Sequence, residues 1–426
     1  MIVRSVAIRW VMSVLVAANA VAQVASSAAA DDRVPLKLSD LYEVTSASSA
    51  VLTPDERRVV FTRQWIDKAT SQERSSLWSG AGAGMPGKAL ESGEPDARLP
   101  IVSPDGRWVV IRSTRPRPDG WRQTPPVPAA SEPATDIWFV PIDGGPAIPL
   151  AGAEKPYGRV FIDPFYARVA FSPDGRQLVF VADDGVDPRT AQELEANVEI
   201  VRPDQGEGYT GYRPAQIWVA DLPDLAKLGA APQPTTASTP TKTQTAATSA
   251  TTPTASSAMP SHMATRIRRL SPDDAWYGDP QWSPDGKSIV VHANRTDDRE
   301  SVRFSINKNY DLWSLDVSGA SPPRQLTAGP GPEVSPRWSP DGRRLACLSS
   351  PRKGPHADVF NLAIVDASAP TPRMTVVHDH HAVEKSEEQG EESGAEKRPY
   401  PQFPLADDCW LSNERLVFTA PLGVTS

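Results

Sequence analysis

The chain has 426 residues and only two cysteines, Cys347 and Cys409, so it is not a disulfide scaffold. No G-x-S-x-G occurs anywhere, which removes the strand-turn-helix elbow that exposes a nucleophilic serine. No Gly-rich phosphate loop with Lys-Ser/Thr follows a strand. A basic excess is also lacking. The net charge is −8, no basic stripe stands out, and nucleic acid is not an expected partner. No apolar run reaches the roughly 20 residues that a membrane-spanning helix requires.

What is present is a phrase that recurs. "VSPDGRWVVI" begins at Val102, "FSPDGRQLVF" at Phe171, "WSPDGKSIVV" at Trp282 and "WSPDGRRLAC" at Trp338. Proline in second place pre-sets φ for a type I turn, Asp suits the third place, and Gly accepts the positive φ of the fourth. A type I turn followed by a left-handed Gly is a standard hairpin connection with a bulge. Each turn is preceded by an apolar residue and followed by a short apolar run, which reads as two strands. "TPDERRVVF" at 53–61 is an earlier copy with Glu56 in place of Gly. A non-Gly residue in the left-handed region costs about 1–2 kcal/mol, so that turn is expected to adopt another type. "LSNERLVFTA" at 411–420 reads as a sixth copy that has lost Pro and Gly.

A third strand follows each hairpin: "SSLWS" at 75–79, "DIWFVPIDGG" at 136–145, "QIWVADL" at 216–222, "DLWSLDVSG" at 311–319 and "NLAIVDAS" at 361–368. A shorter fourth segment follows, such as "RRLS" at 268–271 or "RQLT" at 324–327. Four antiparallel strands recurring at roughly 50 residues make a β-propeller blade. The expected fold is therefore all-β: an incomplete propeller over 36–426, with five full blades and part of a sixth. Proline, at 44 residues, suits a chain of turns and inserts.

The N-terminus reads as an export signal over residues 1–22. Arg4 and Arg9 supply the positive region, Trp10 to Ala18 the apolar core, and Ala20-Val21-Ala22 the cleavage site. Residues 225–264 are Thr, Ala, Ser and Pro with almost no aromatic, and are expected to be a disordered loop inside blade three. Residues 382–399 form an acidic insert. A third insert, 183–215, carries Tyr209 and Tyr212, and within it "AQELEANVEI" suits a short helix.

Few residues suggest chemistry. His378, Asp379, His380 and His381 are metal-ligating types, but the cluster abuts the acidic insert and no fixed shell is expected. Glu193 and Glu195 have the charge to meet a peptide amine, and a solvated loop face is the simpler reading. The Asp residues of the turns are explained by turn chemistry. Cys347 falls in an apolar strand, and both cysteines are read as free. No catalytic, cofactor-binding or metal-ligating residue is assigned.

The SPDG hairpin followed by "DIW" or "DLW" and a Leu-Thr ending resembles the propeller repeats of TolB and of the prolyl oligopeptidase family of serine peptidases. It is most similar to the acylaminoacyl-peptidase and dipeptidyl-aminopeptidase-like members. The opening segment "LKLSDLYEVTSASSAVLTPDERRVVFTRQWID", leading to "SSLWS", resembles the start of those peptidases. The resemblance implies an exported, periplasmic or extracellular propeller that gates substrates for an α/β-hydrolase domain. That domain carries the family's Ser, Asp and His, which map to no position here. The expected partners are peptides or a hydrolase domain, and the chain alone is expected to be inactive. Peptidase propellers have seven or eight blades, so the chain is expected to be a truncated product or a stand-alone propeller. The alternative is a TolB-like envelope propeller acting as a protein-binding scaffold.

Overall fold

A computed structural model describes residues 37–81, 87–91, 96–118, 121, 135–163, 165–185, 190–196, 214–228, 260–295, 309–351, 360–378, 401 and 403–419. The export signal, residues 229–259 of the Thr/Ala insert, the acidic insert, Asp379, His380, His381, Tyr209 and Tyr212 lie outside the described residues.

Five four-stranded antiparallel sheets follow one another in chain order. Blade one is β1 (Thr45–Leu52), β2 (Val59–Ile66), β3 (Glu73–Gly80) and β4 (Lys88–Ala89). Blade two is β5 (Arg98–Val102), β6 (Trp108–Ser113), β7 (Asp136–Pro141) and β8 (Ile148–Pro149). Blade three is β9 (Ala170–Phe171), β10 (Gln177–Ala182), β11 (Gln216–Asp221) and β12 (Arg266–Arg269). Blade four is β13 (Trp276–Trp282), β14 (Ser288–Asn294), β15 (Asp311–Asp316) and β16 (Arg324–Gln325). Blade five is β17 (Glu333–Trp338), β18 (Arg344–Ser349), β19 (Asn361–Asp366) and β20 (Arg373–His378). The fold is the all-β, bladed architecture that the repeats predict. The strands flanking the Thr/Ala insert, β11 and β12, pair directly, with Asp221 opposite Arg266.

The turns explain the register. In all five, the Ser or Thr hydroxyl donates to the Asp two residues on at 2.5–2.7 Å. The same oxygen accepts the N–H five residues on at 2.9–3.1 Å. The Asp carboxylate accepts a further backbone N–H at 3.1–3.2 Å. The Ser or Thr is thus the hub of the turn, a role that the conformational preferences of Pro, Asp and Gly do not reveal. These hydrogen bonds, the hydroxyl's first, hold Asp55, Asp174, Asp285 and Asp341 below the usual carboxylate range.

The turn at 53–56 corrects an expectation. Glu56 adopts φ +58°, close to the +69° to +71° of Gly106, Gly175, Gly286 and Gly342. It makes the same closing hydrogen bond, Glu56 N–H to Thr53 C=O at 2.9 Å. The bonds around Thr53 offset the left-handed strain, and the turn type is kept.

The turns also stack in series. A Cβ on Gly106, Gly175, Gly286 or Gly342 would lie 3.4–3.6 Å from Pro54, Pro104, Pro173 or Pro284, the proline of the turn before it. Neighbouring blades therefore meet turn on turn. Their flat faces meet through buried clusters. One joins blades one and two through Val60, Leu77, Val109 and Ile111. A second joins two and three through Val110, Phe139, Phe180 and Trp218. A third joins three, four and five, the last through Val334, Ala346 and Leu348, and extends to Leu405 and Cys409. A fourth joins four and five through Val290, Leu312, Leu345 and Cys347. No cluster joins blade five or residues 403–419 to blade one, so among the described residues the series of sheets is not closed.

The sixth copy is reduced. It forms a single bridge between Trp410 and Leu416. It nevertheless continues the series, because Asn413 accepts the backbone N–H of Asp341, in the blade-five turn, at 3.0 Å.

Candidate functional site

The first strands of neighbouring blades approach one another at β1 and β5, β9 and β13, and β13 and β17, and their side chains form an inner wall. Four of these strands carry a bulge that bends the chain and re-aims a side chain. The bulge residues are Ser49, Leu99, Asp279 and Ser335, at φ +53°, +50°, +44° and +57°. Each stands four residues before the Ser or Thr of its turn. In blade three that place is held by Arg168. Positive φ at a non-Gly residue is costly, and such strain collects at functional sites.

Here the strain serves an ionic cluster. Arg337 donates to Asp279 at 2.8 Å, and Arg168 pairs with Asp279 at 3.4 Å. Both arginines also reach Asp407, at 2.5 Å from Arg168 and 3.2 Å from Arg337. The Arg337 and Asp279 side chains are 2% and 6% exposed, whereas that of Asp407 is 68% exposed and forms the solvent side. Burial opposes the charges, but Arg337 and Arg168 together hold Asp279 below the usual carboxylate range. The segment bearing Asp407 is also held by two further bonds. Leu405 N–H donates to Ser335 Oγ at 2.9 Å, and the Trp410 indole to the Arg337 carbonyl at 2.9 Å.

Beside the cluster lies His292, fully buried on β14 with both ring nitrogens unpartnered. Phe165 and Tyr310 pack against its ring at 4.5 and 5.3 Å between centroids. The hydroxyls of Tyr166 and Tyr310 meet at 2.5 Å. Gly278 lies opposite His292 on β13, and a Cβ there would fall 2.3 Å from Nε2. Glycine is thus what lets the imidazole fit. Burial, only partly offset by Asp279, pushes the imidazole down to about 4, so the ring is neutral at pH 7.

A buried carboxyl, Glu333, and a half-buried one, Asp311, also face each other across blades five and four. Glu333 accepts from Gly329 N–H at 3.1 Å and from the Ser349 hydroxyl at 3.2 Å. Burial and the nearby Asp311 charge push Glu333 up to about 7.

The repeat exposes one more regularity. Nine residues after the turn Ser or Thr stand Thr62, Arg112, Val181, His292 and Leu348. Thr62 Oγ1, Arg112 Nε and Nη1, and both nitrogens of His292 are buried without a hydrogen-bond partner. Polar groups at this place are therefore poorly served in blades one, two and four.

The residues considered from sequence do not join this site. His378 ends β20, with its ring 5.3 Å from that of Phe418. Among the described residues no three His, Cys, Asp or Glu side chains are placed to hold a metal. Glu193 lies on a short helix, Ala191–Glu195, where it accepts from the backbone and hydroxyl of Thr190 at 2.6 and 2.8 Å. Glu195 is exposed. Cys347 and Cys409 are buried and free, and burial pushes the Cys409 thiol up to about 11. The inner wall offers charge pairing and a neutral histidine. Among the described residues, no Ser or Cys is hydrogen-bonded to that histidine as nucleophilic catalysis requires.

No family model matches the chain. A segment of 98 residues is 26% identical to dipeptidyl-peptidase 5 of Porphyromonas gingivalis, covering 22% of this chain and only 14% of that protein. Among solved structures, Pyrococcus horikoshii acylaminoacyl peptidase aligns at 11% identity and TM-score 0.44, over 79% of this chain and 40% of that one. TolB from Acinetobacter baumannii aligns at 12% identity and TM-score 0.36, over 82% of this chain and 75% of that one. The β-propeller domain of the Trilobed protease from Pyrococcus furiosus aligns at 11% identity and TM-score 0.37, over 77% and 70%.

Proposed function

We propose that this chain is the substrate-gating propeller of an exported serine peptidase of the prolyl oligopeptidase type. The observation that carries the proposal is the repeat of SPDG-hinged blades, introduced by an opening segment of the peptidase kind, in a sequence without a nucleophile elbow. The segment similar to a dipeptidyl-peptidase supports the same branch. In this role the blades select peptides by size and reach, and the attacking serine belongs to a hydrolase domain. The N-terminal signal directs the protein out of the cytoplasm. Among the described residues no helix is long and apolar enough to cross a membrane.

Fluorophosphonate labelling of the native organism's envelope fraction, followed by capture with antibodies to this chain, tests the proposal. The expected result is a labelled polypeptide heavier than 46.0 kDa, the mass of these residues. The isolated chain should take no label and should hydrolyse neither acyl-amino-acid nor dipeptide chromogenic substrates. An unlabelled envelope protein of this same mass would sink the peptidase role and favour a TolB-like scaffold.

A further inference from the structure

Arg112 stands near the end of β6. The side chains two and four residues before it, Val110 and Trp108, lie in the cluster between blades two and three, so alternation turns Arg112 to the same interface. It is 4% exposed, and its Nε and Nη1 are buried without an acceptor. Its neighbours offer no relief. Arg98 is its cross-strand partner and a second cation, itself paired with Asp96 at 3.0 Å. Arg168, whose charge also reaches it, is committed to Asp279 and Asp407. Asp163 is the acid that acts on it in the stabilising direction, but Asp163 Oδ1 is occupied by the N–H groups of Phe165 and Tyr166, both at 3.1 Å.

A guanidinium does not lose its proton at ordinary pH, so it cannot escape burial by becoming neutral. Leaving such a cation without an acceptor is destabilising, and a bound anion removes that penalty. We propose that Arg112, backed by Arg98 and Arg168, is the binding site for a carboxylate. The planar fork of guanidinium donors matches a carboxylate bidentately. Arg98 and Arg168 already have acids, and Asp163 supplies Arg112 with charge, so what Nε and Nη1 lack is an acceptor. A carboxylate supplies two acceptor oxygens with a single negative charge, whereas a phosphate ester brings about −1.5 to −2. The site does not depend on the peptidase role. A free small carboxylate and the C-terminus of a peptide present the same group to it.

Equilibrium dialysis of the full chain against radiolabelled acetate, at fixed ionic strength, tests the proposal. One saturable site is expected, weakened about tenfold or more in Arg112→Leu and Arg112→Gln, the loss typical of a charge-assisted bond. Arg112→Lys, which keeps the charge without the fork, should fall between them and the parent. Competition separates the two sources. Displacement by tri-alanine but not by its C-terminal amide assigns the site to peptide carboxyl groups, and no displacement by either assigns it to small free acids. Absence of saturable acetate binding in the parent chain overturns the proposal. So does affinity in the Leu and Gln variants equal to that of the parent chain, or preference for inorganic phosphate.

Discussion

Blades one and four are built on the same phrase and share the same turn and inner-strand bulge, yet they end in different states. In blade four, six of the seven residues of β13 are buried. In blade one, none of the eight residues of β1 is buried. Blade four packs on blade three through one face and on blade five through the other. Among the described residues, blade one shares a buried cluster with blade two only, and the short helical turn Leu38–Glu43 lies against β2. Its other face carries Phe61, Arg63, Trp65 and Trp78, all half-buried, with Arg63 stacked on both tryptophans at 5.9 and 5.1 Å. The difference shows that turn chemistry is sufficient to form a blade, while burial comes from having neighbours on both flanks.

Removing a charge from each region should give the largest difference between them. Arg337→Met leaves Asp279 buried with only the longer Arg168 contact, and should cost about 3–5 kcal/mol in denaturant unfolding. Arg58→Met removes an exposed pair, with side chains 42% and 67% exposed, and should cost about 1 kcal/mol or less. Equal costs would mean that the inner ionic cluster is no more buried than the surface of blade one.

Proton linkage separates the regions next, since Glu333 lies in blade five and His292 in blade four, far from the open blade. Glu333 has a folded value raised above its unfolded one, so the folded state holds the extra proton. Its contribution is complete below about 4.5 and is lost as pH rises through about 7. His292 works in the opposite direction. Its folded value is depressed, so its contribution is present above about 6.5 and is lost as pH falls through about 4. Glu333→Gln should flatten the loss of thermal stability on the neutral side, and His292→Phe the loss on the acid side. Unchanged pH profiles in both variants would refute the linkage.

Substitutions at two glycine-type positions distinguish the blades on a smaller scale. Gly278→Ala drives a Cβ into His292 and should destabilise by about 1–3 kcal/mol. The equivalent residue of blade one, Ser48, already has a side chain, which donates to Gln64 at 2.9 Å. Glu56→Gly should do the reverse and stabilise by about 1 kcal/mol, because it relieves a left-handed non-Gly residue. A gain in the thermal midpoint tests it. The smallest effect is expected from shortening 229–259. The flanking strands pair directly, and loop entropy changes slowly with length, so the midpoint should move by the equivalent of less than about 1 kcal/mol.

Much of the fold was legible because its determinants are local. Ser, Pro, Asp and Gly within four residues set each hairpin, and alternating apolar residues set each strand. Blade order followed from chain order. Even the departure at Glu56 was visible, although its outcome was not, because the bonds gathered by Thr53 outweigh the strain. The inner wall was not legible. Arg168 meets Asp407 across 239 positions of sequence, and Arg337 meets Asp279 across 58. No spacing rule joins such residues. A trace did exist in the repeats, where Arg168 and Asp279 stand four residues before the turn serine, and Arg112 and His292 nine after it. Aligned blade by blade, Arg112 and His292 are charged or titratable groups in a place that Val181 and Leu348 mark as apolar. Local chemistry in the sequence determined the hairpins, the strands and their order. Only the tertiary structure decided which charges are paired, which face of blade one stays open and which cation is left without an acceptor, because burial and pairing depend on side chains that the chain brings together from distant blades.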